Sequence, residues 1–319
     1  MNVLIIGKNS YIGNHIDEWL TKRGHQVTQL DVLTDEWKTY DYSPFDAIVH
    51  VAGIVHQPKC QDWDLYKRVN TDMPIAIATK AKVQGAKQFV FFSTMGVYGH
   101  IKDLCSNAIE ASTPLRAEGM YGRSKLMAEE GLSKLQDGTF DVAFVRPPSV
   151  YGKGCRGGYI TGFTSIVRKL PVIPRAYENV KQSFIYVDNL SELVRLVIEK
   201  RLHGVFCPQD EKAVNANELL EAIAKGIGKK YRESRLLGLF VRLFSFIPLV
   251  NKAYGGVEYA QSLSNIEGID YVVVPFEEGM RRTVGNLDAN LNHNLNHNHN
   301  LNHNENVDNR RNTKDDNEK

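Results

Sequence analysis

The stretch "NVLIIGKNSYIGNHIDEWLTKRG", residues 2–24, decides the fold. "NVLIIG" is a short apolar run rich in branched side chains, which predicts a strand that breaks at Gly7. Beyond the break Ile12, Ile16, Trp19 and Leu20 recur at helical spacing, and the helix is expected to end at Gly24. Gly7 stands where a phosphate-binding turn needs its first glycine, and Gly13 where helix and strand must pack closely. The helix N-terminus would then face a pyrophosphate with unpaired amides and the positive end of its dipole. Ser10 occupies the usual place of a middle glycine; its Cβ crowds a phosphate, while its hydroxyl can donate a hydrogen bond in return. Turns of the form Gly-x5-Gly also occur where nothing binds, so the loop alone leaves both readings open.

Outward from this unit, "HQVTQLD", "DAIVHVAG", "KQFVFFST" and "FDVAFVRPPSVYG" read as further strands with helical segments between them. That alternation predicts an α/β chain with a doubly wound parallel sheet covered on both faces. After about residue 153 the pattern loosens through "GCRGGYITGF" into a helical "TSIVRKL", and "QSFIYVDNLSELVRLVIEK" then gives a strand and a helix started by Asp188 or Asn189. The expected division is a dinucleotide domain over 1–153, to which 181–200 returns, and a smaller threaded substrate-binding region over 154–285. Within the latter, "AVNANELLEAIAKGIG" carries an Asn215-x-x-Glu218 capping box, and "PFEEGMRRTV" reads as a last short helix. From 286 to 319 the chain is Asn, His, Asp, Lys and Arg with few bulky apolar residues, the composition of a disordered tail. His293, His297, His299 and His303 make weak metal binding the alternative for that tail.

A length of 319 residues allows a sizeable core, and a formal net charge of +2 demands neither nucleic acid nor an acidic surface as partner. The expected ligand is a small molecule. Cys60, Cys105, Cys155 and Cys207 lie far apart without a CxxC pair, which argues against zinc and against a disulfide framework. No metal is expected. The N-terminal apolar run is too short for a signal peptide's core and lacks its basic start, so a cytoplasmic location fits best.

Two further signals bear on chemistry. Asp31 falls at the end of the second strand, where a carboxylate hydrogen-bonds an adenosine ribose and repels a 2′-phosphate; this favours NAD over NADP. A turn aspartate is the plainer alternative, and the charge of Lys8 keeps NADP open. Tyr121 and Lys125 stand at i and i+4 in "GMYGRSKLMAEE", on one helix face. To act as a base near pH 7 a tyrosine must lose about three pKa units, on the order of 4 kcal/mol. A solvated pair supplies only a few tenths of that, whereas a positive charge about 4 Å away in a partly desolvated cleft supplies roughly 4 kcal/mol. Catalysis by Tyr121 therefore requires a bound cofactor whose charge adds to that of Lys125.

Together these motifs resemble those of the extended short-chain dehydrogenase/reductase family, in particular its NAD-dependent nucleotide-sugar epimerases and 4-ketoreductases. The resemblance rests on "IIGKNSYIG", Asp31, "IVHVAG" (48–53), Val69-Asn70, "FFSTMGVYG" (91–99), "YGRSK" (121–125), "RPPSVYG" (146–152) and "FIYVDNL" (184–190), in the family's order over about residues 1–285. It implies a Rossmann-type fold and a C4 epimerase of a nucleotide-activated, UDP-linked hexose, with a 4-ketoreductase of surface polysaccharide synthesis as runner-up. Tyr121 is implied as the general base, Lys125 as the residue that lowers its pKa and binds the nicotinamide ribose, and Thr94 as a hydrogen-bond partner of the reacting oxygen. Gly7, Ser10, Tyr11, Ile12 and Gly13 are implied along the cofactor phosphates, Ala52 and Gly53 on the adenosine side, and Asn70 and Pro147 near the nicotinamide. A cofactor-binding regulator is the alternative of another class; such relatives usually lose the tyrosine or the lysine, and both are here. A homodimer is admitted, and the sequence does not fix the assembly.

Several positions depart from the family pattern. Met95 and Gly96 follow Thr94 where dehydratases carry an acidic pair, which excludes dehydration. Gln182 stands where an arginine often holds the diphosphate; Lys181, Arg175, Arg281 and Arg282 are candidate substitutes or plain surface charges. The apolar "LLGLFVRLFSFIPLVNKAY", 236–254, is interrupted by Arg242 and stopped by Pro248, too short to span a bilayer. A packed helix of the substrate region is the expectation there, and an amphipathic face touching a membrane or a partner is the alternative.

Overall fold

The computed structural model describes residues 1–55, 62–99, 103–155 and 158–285, so the 286–319 tail and its histidines lie outside the described residues. Six parallel strands form the central sheet: β1 Asn2–Ile6, β2 Gln26–Leu30, β3 Ala47–His50, β4 Gln88–Phe92, β5 Asp141–Val145 and β6 Gly204–Phe206. Their order is β6-β5-β4-β3-β1-β2. The principal helices are α1 Tyr11–Thr21, α2 Met73–Val83, α3 Gly119–Ser133, α4 Gly158–Lys169, α5 Val187–Glu199, α6 Ala216–Gly226, α7 Arg235–Leu243 and α8 Pro248–Tyr254.

The apolar run of β1 serves two cores at once because successive side chains point to opposite faces. Val3 and Ile5 pack with Ile16 and Leu20 of α1 and Leu193 and Val197 of α5. Leu4 and Ile6 pack on the other face with Ile77 and Ala81 of α2 and Ala128 and Leu132 of α3. Each of the larger side chains contributes roughly 1.5–3 kcal/mol by full burial, so the sheet is held from both sides. The order reverses at β1, with β2 on one flank and β3 on the other. Ligands of open α/β sheets bind outside the carboxyl ends of the strands at such a point.

Four local expectations need correction. "FDVAFVRPPSVYG" is two strands: β5 ends at Val145, and Ser149–Tyr151 pairs in parallel with Phe184–Tyr186 outside the central sheet. Pro147 and Pro148 lie between them and have no N–H for a ladder. Second, α5 starts at Val187 after Tyr186, which makes no side-chain cap, so Asp188 and Asn189 fall inside its first turn. Asn189 is instead a buried clamp: its Oδ1 accepts from the amides of Val273 and Val274 at 2.9 and 2.8 Å, and its Nδ2 donates to Asp210. Third, α4 already begins at Gly158, ahead of "TSIVRKL".

The fourth correction concerns 236–254. The segment forms α7 and α8, yet its apolar side chains are largely exposed rather than packed. Of α7 only Gly238 is buried, and a Cβ there would collide with the carbonyl oxygen of Arg175. The helix therefore approaches the body through its backbone and leaves most of its apolar side chains outside, while Arg242 lies over the Tyr177 ring. By contrast the capping box of α6 is complete: Asn215 Oδ1 accepts from the Glu218 amide at 3.0 Å, and Glu218 Oε2 accepts from the Asn215 amide at 2.8 Å. A last helix runs over 276–285.

Candidate active site

Tyr121 and Lys125 lie on α3, which packs against the face of the sheet that carries Phe89 and Phe91. Lys125 is 3 % exposed. Its ammonium donates to the carbonyl of Phe92 at 2.8 Å and lies 4.5 Å from the centroid of the Phe91 ring. Burial brings its pKa down to about 7, against an upward pull from Glu129 one turn along α3. The same ammonium helps burial depress His50, whose pKa falls to about 3 on the neighbouring strand. Lys125 also underlies the loop after β3, since a Cβ built on Gly53 would stand 3.1 Å from its Nζ.

In the free chain burial dominates at the Tyr121 phenol. Burial raises its pKa, against a lowering by the neighbouring Thr94 side chain and a further rise from Tyr66. Thr94 is fixed in turn: its Oγ1 accepts from the Gly96 amide at 3.1 Å, capping the tight turn Met95–Tyr98. The turn is anchored to Pro147, whose carbonyl accepts from the Met95 amide at 3.1 Å. Thr94, Tyr121, Lys125 and Pro147 are thus drawn together beyond the carboxyl end of β4.

Two buried networks hold this geometry. Asn70 is fully buried and uses its whole amide internally: Oδ1 accepts from the Ile54 amide at 2.8 Å, and Nδ2 donates to the Ile54 carbonyl and to Ser124 Oγ at 2.9 and 3.0 Å. These bonds tie the loop after β3 to α3. Further along α3, Glu129 accepts from Arg146 Nε at 3.0 Å, and Arg146 Nη1 donates to the Tyr98 hydroxyl at 2.8 Å. Nothing in the spacing of Glu129 and Arg146 marks them as partners; only the fold brings them together.

A cleft of about 710 Å³ opens at the switch point, lined in part by Gly7, Ser10, Asp31, Ala52 and Gly53. Gly7 has φ +123°, a region closed to most side chains, and an added Cβ would stand 3.0 Å from the Ala52 amide nitrogen. At Gly13 an added Cβ would lie 2.5 Å from Ser10 Oγ. That hydroxyl accepts from the Gly13 amide at 3.1 Å and caps α1, so its own proton remains to be donated. Asp31 Oδ1 accepts from the Leu33 amide at 2.9 Å, which sets the carboxylate at the mouth of the cleft. Lys8 of the same motif also lines it, as do Leu33, Trp37 and Arg68, which no motif marks. The Ile12 side chain packs against the core, and the buried hydroxyl of Tyr11 has no partner among the described residues. A Cβ on Gly152 would meet that hydroxyl at 2.7 Å, so the Tyr11 side chain crosses from the phosphate turn toward the substrate region.

A model of the "NAD dependent epimerase/dehydratase family" matches residues 3–206, nearly two thirds of the chain. The chain belongs to this family. Among its curated relatives is the UDP-glucose 4-epimerase of Vibrio cholerae, 23% identical over 284 residues that cover 81% of this chain and 86% of the relative. Another is the N-acetyl-alpha-D-glucosaminyl-diphospho-ditrans,octacis-undecaprenol 4-epimerase of Escherichia coli O157:H7, 24% identical over 72% of this chain and 73% of the relative. The fold matches that of the Thermus thermophilus UDP-glucose 4-epimerase, solved in complex with NAD, with a TM-score of 0.66, 22% identity and coverage of 90% and 98%. The family's cofactor fits this chain: Gly7 and Gly13 leave open a turn that a Cβ would fill, and Asp31 lines the same cleft.

Family positions for the substrate phosphates are less well provided. Gln182 Nε2 donates to Ser149 Oγ at 3.0 Å within the small paired strands. Arg175 is engaged by both Glu178 and Glu233, and Arg281 and Arg282 by Glu278. Lys181 is exposed beside Gln182, and its charge acts on Glu258. No helix among the described residues is long and apolar enough to cross a membrane.

Proposed function

We infer that this chain is an NAD-dependent epimerase acting at C4 of a nucleotide-activated hexose, UDP-linked, in the cytoplasm. The observation that carries the reading is the approach of the Thr94 and Tyr121 side chains beside a buried Lys125, at the carboxyl edge of the sheet. NAD, when bound, supplies the acceptor and donor of the C4 hydride and a positive ring near the phenol. The chain's own residues handle the proton. Tyr121 takes it from the C4 hydroxyl, Thr94 shares the reacting oxygen, and Lys125 offers its ammonium to the nicotinamide ribose. Because burial raises Tyr121, the free chain holds the phenol protonated, and the base forms only in the loaded enzyme. Ser10 and the N-terminus of α1 hold the pyrophosphate, and Asp31 holds the adenosine ribose. Met95 and Gly96 cannot move a proton, which keeps dehydration out of reach.

A 4-ketoreductase is the second reading. It must exchange its cofactor at every turnover, and the adenosine end of the cleft is open among the described residues, with Leu33 91 % exposed. Purified protein incubated with UDP-glucose, UDP-galactose and their N-acetyl forms, without added cofactor, separates the two. Interconversion resolved by NMR supports the epimerase. No interconversion, with reduction of a UDP-4-keto-hexose only on addition of reduced cofactor, supports the reductase.

A further inference from the structure

Nine of the eighteen large apolar side chains that are exposed among the described residues lie between Leu236 and Leu249. They do not merely edge into solvent: Leu236 is 66 %, Phe246 76 % and Leu249 68 % exposed. Contiguous apolar surface of this kind on a soluble domain marks an interaction site. The hairpin is nevertheless well seated at its base. The Arg175 amide donates to the Ser234 carbonyl at 3.0 Å, Gly238 lies on the backbone of Arg175, and the Tyr254 hydroxyl donates to the Pro174 carbonyl at 2.7 Å. The apolar tips are therefore presented by an ordered frame.

The charges around them have one sign. Arg235 and Arg242 on α7, Lys252 on α8, and Lys230 and Arg232 just ahead of α7 are all exposed, while no aspartate or glutamate occurs from 234 to 257. Glu178 and Glu233 are both held by Arg175, and the charges of Arg235 and Arg242 also act on Glu178. α7 has nine residues and α8 seven, so neither can cross a bilayer, but both can lie in its surface.

We propose that α7, α8 and the turn between them dock this protein on an anionic phospholipid surface, with Leu236–Leu249 entering the headgroup boundary and the surrounding arginines and lysines meeting the lipid phosphates. A second copy of the chain fits less well, because face-to-face packing would bring two cationic rims together. A bilayer accepts protruding side chains without a preformed groove and supplies the opposite charge.

The test is co-flotation of the full chain with vesicles of phosphatidylcholine alone or mixed with phosphatidylglycerol, at low and high salt. Binding is expected to the anionic vesicles and to weaken with salt. Leu239→Glu and Phe246→Glu are each expected to lower partitioning by about tenfold or more, and Arg242→Gln by about fivefold. All three sites are exposed, so circular dichroism and retained NAD should stay at the level of the unaltered chain. Three results would overturn the proposal: no flotation with anionic vesicles, flotation that the substitutions leave unchanged, or a dimer or protein complex that they split while vesicles are ignored. Vesicle binding does not depend on the sugar chemistry, so either can fail alone.

Discussion

The ammonium of Lys125 donates to the carbonyl oxygen of Phe92 at 2.8 Å, at the end of β4 and two residues before Thr94. A buried cation held by a neutral carbonyl has its charged form disfavoured, and its pKa falls from 10.5 to about 7. Between those values the folded chain binds fewer protons than the unfolded one, so stability rises with pH from about 7 to about 10.5. Urea unfolding across that window should show the rise, and Lys125→Met should flatten it. A variant that keeps the full slope would assign the effect elsewhere.

Tyr121→Phe removes the proton acceptor but not the ring that fills the site. NAD content should be unchanged and kcat should drop by about a hundredfold or more. Undiminished turnover would remove Tyr121 from the chemistry.

Asp31→Ala should narrow the preference for NAD over NADP by roughly tenfold, the scale of a charge-assisted hydrogen bond of about 1.5–3 kcal/mol. Titration of both dinucleotides checks this, and a sharper preference for NAD would contradict it.

Arg146→Ala leaves Glu129 buried without its partner, which should destabilise the fold by about 3–5 kcal/mol in denaturant unfolding. Replacing both, as Glu129→Leu with Arg146→Met, should cost much less. A single variant as stable as the parent would mean that Glu129 finds another partner or takes up a proton.

Features written in local spacing were legible in advance. The unit β1–Gly7–α1 and the Asn215–Glu218 box depend on residues a few positions apart, and both stand as read. The resemblance also named Thr94 and Tyr121, whose side chains lie near each other. Less was legible where distant segments decide. The run 236–249 reads as core, and only the seat of Gly238 on Arg175 turns its side chains outward. β6 has three residues and an exposed Val205, too little pattern to stand out. The direction of Lys125 was also hidden, because i,i+4 spacing sets a shared face and says nothing of a carbonyl on β4.

The most direct measurement is the near-ultraviolet absorbance of the protein's own retained dinucleotide when UDP-hexose is added without other cofactor. Partial, reversible reduction that Tyr121→Phe abolishes is the predicted result. A dinucleotide that stays fully oxidised with every UDP-hexose, or is reduced equally without Tyr121, would contradict the C4 chemistry.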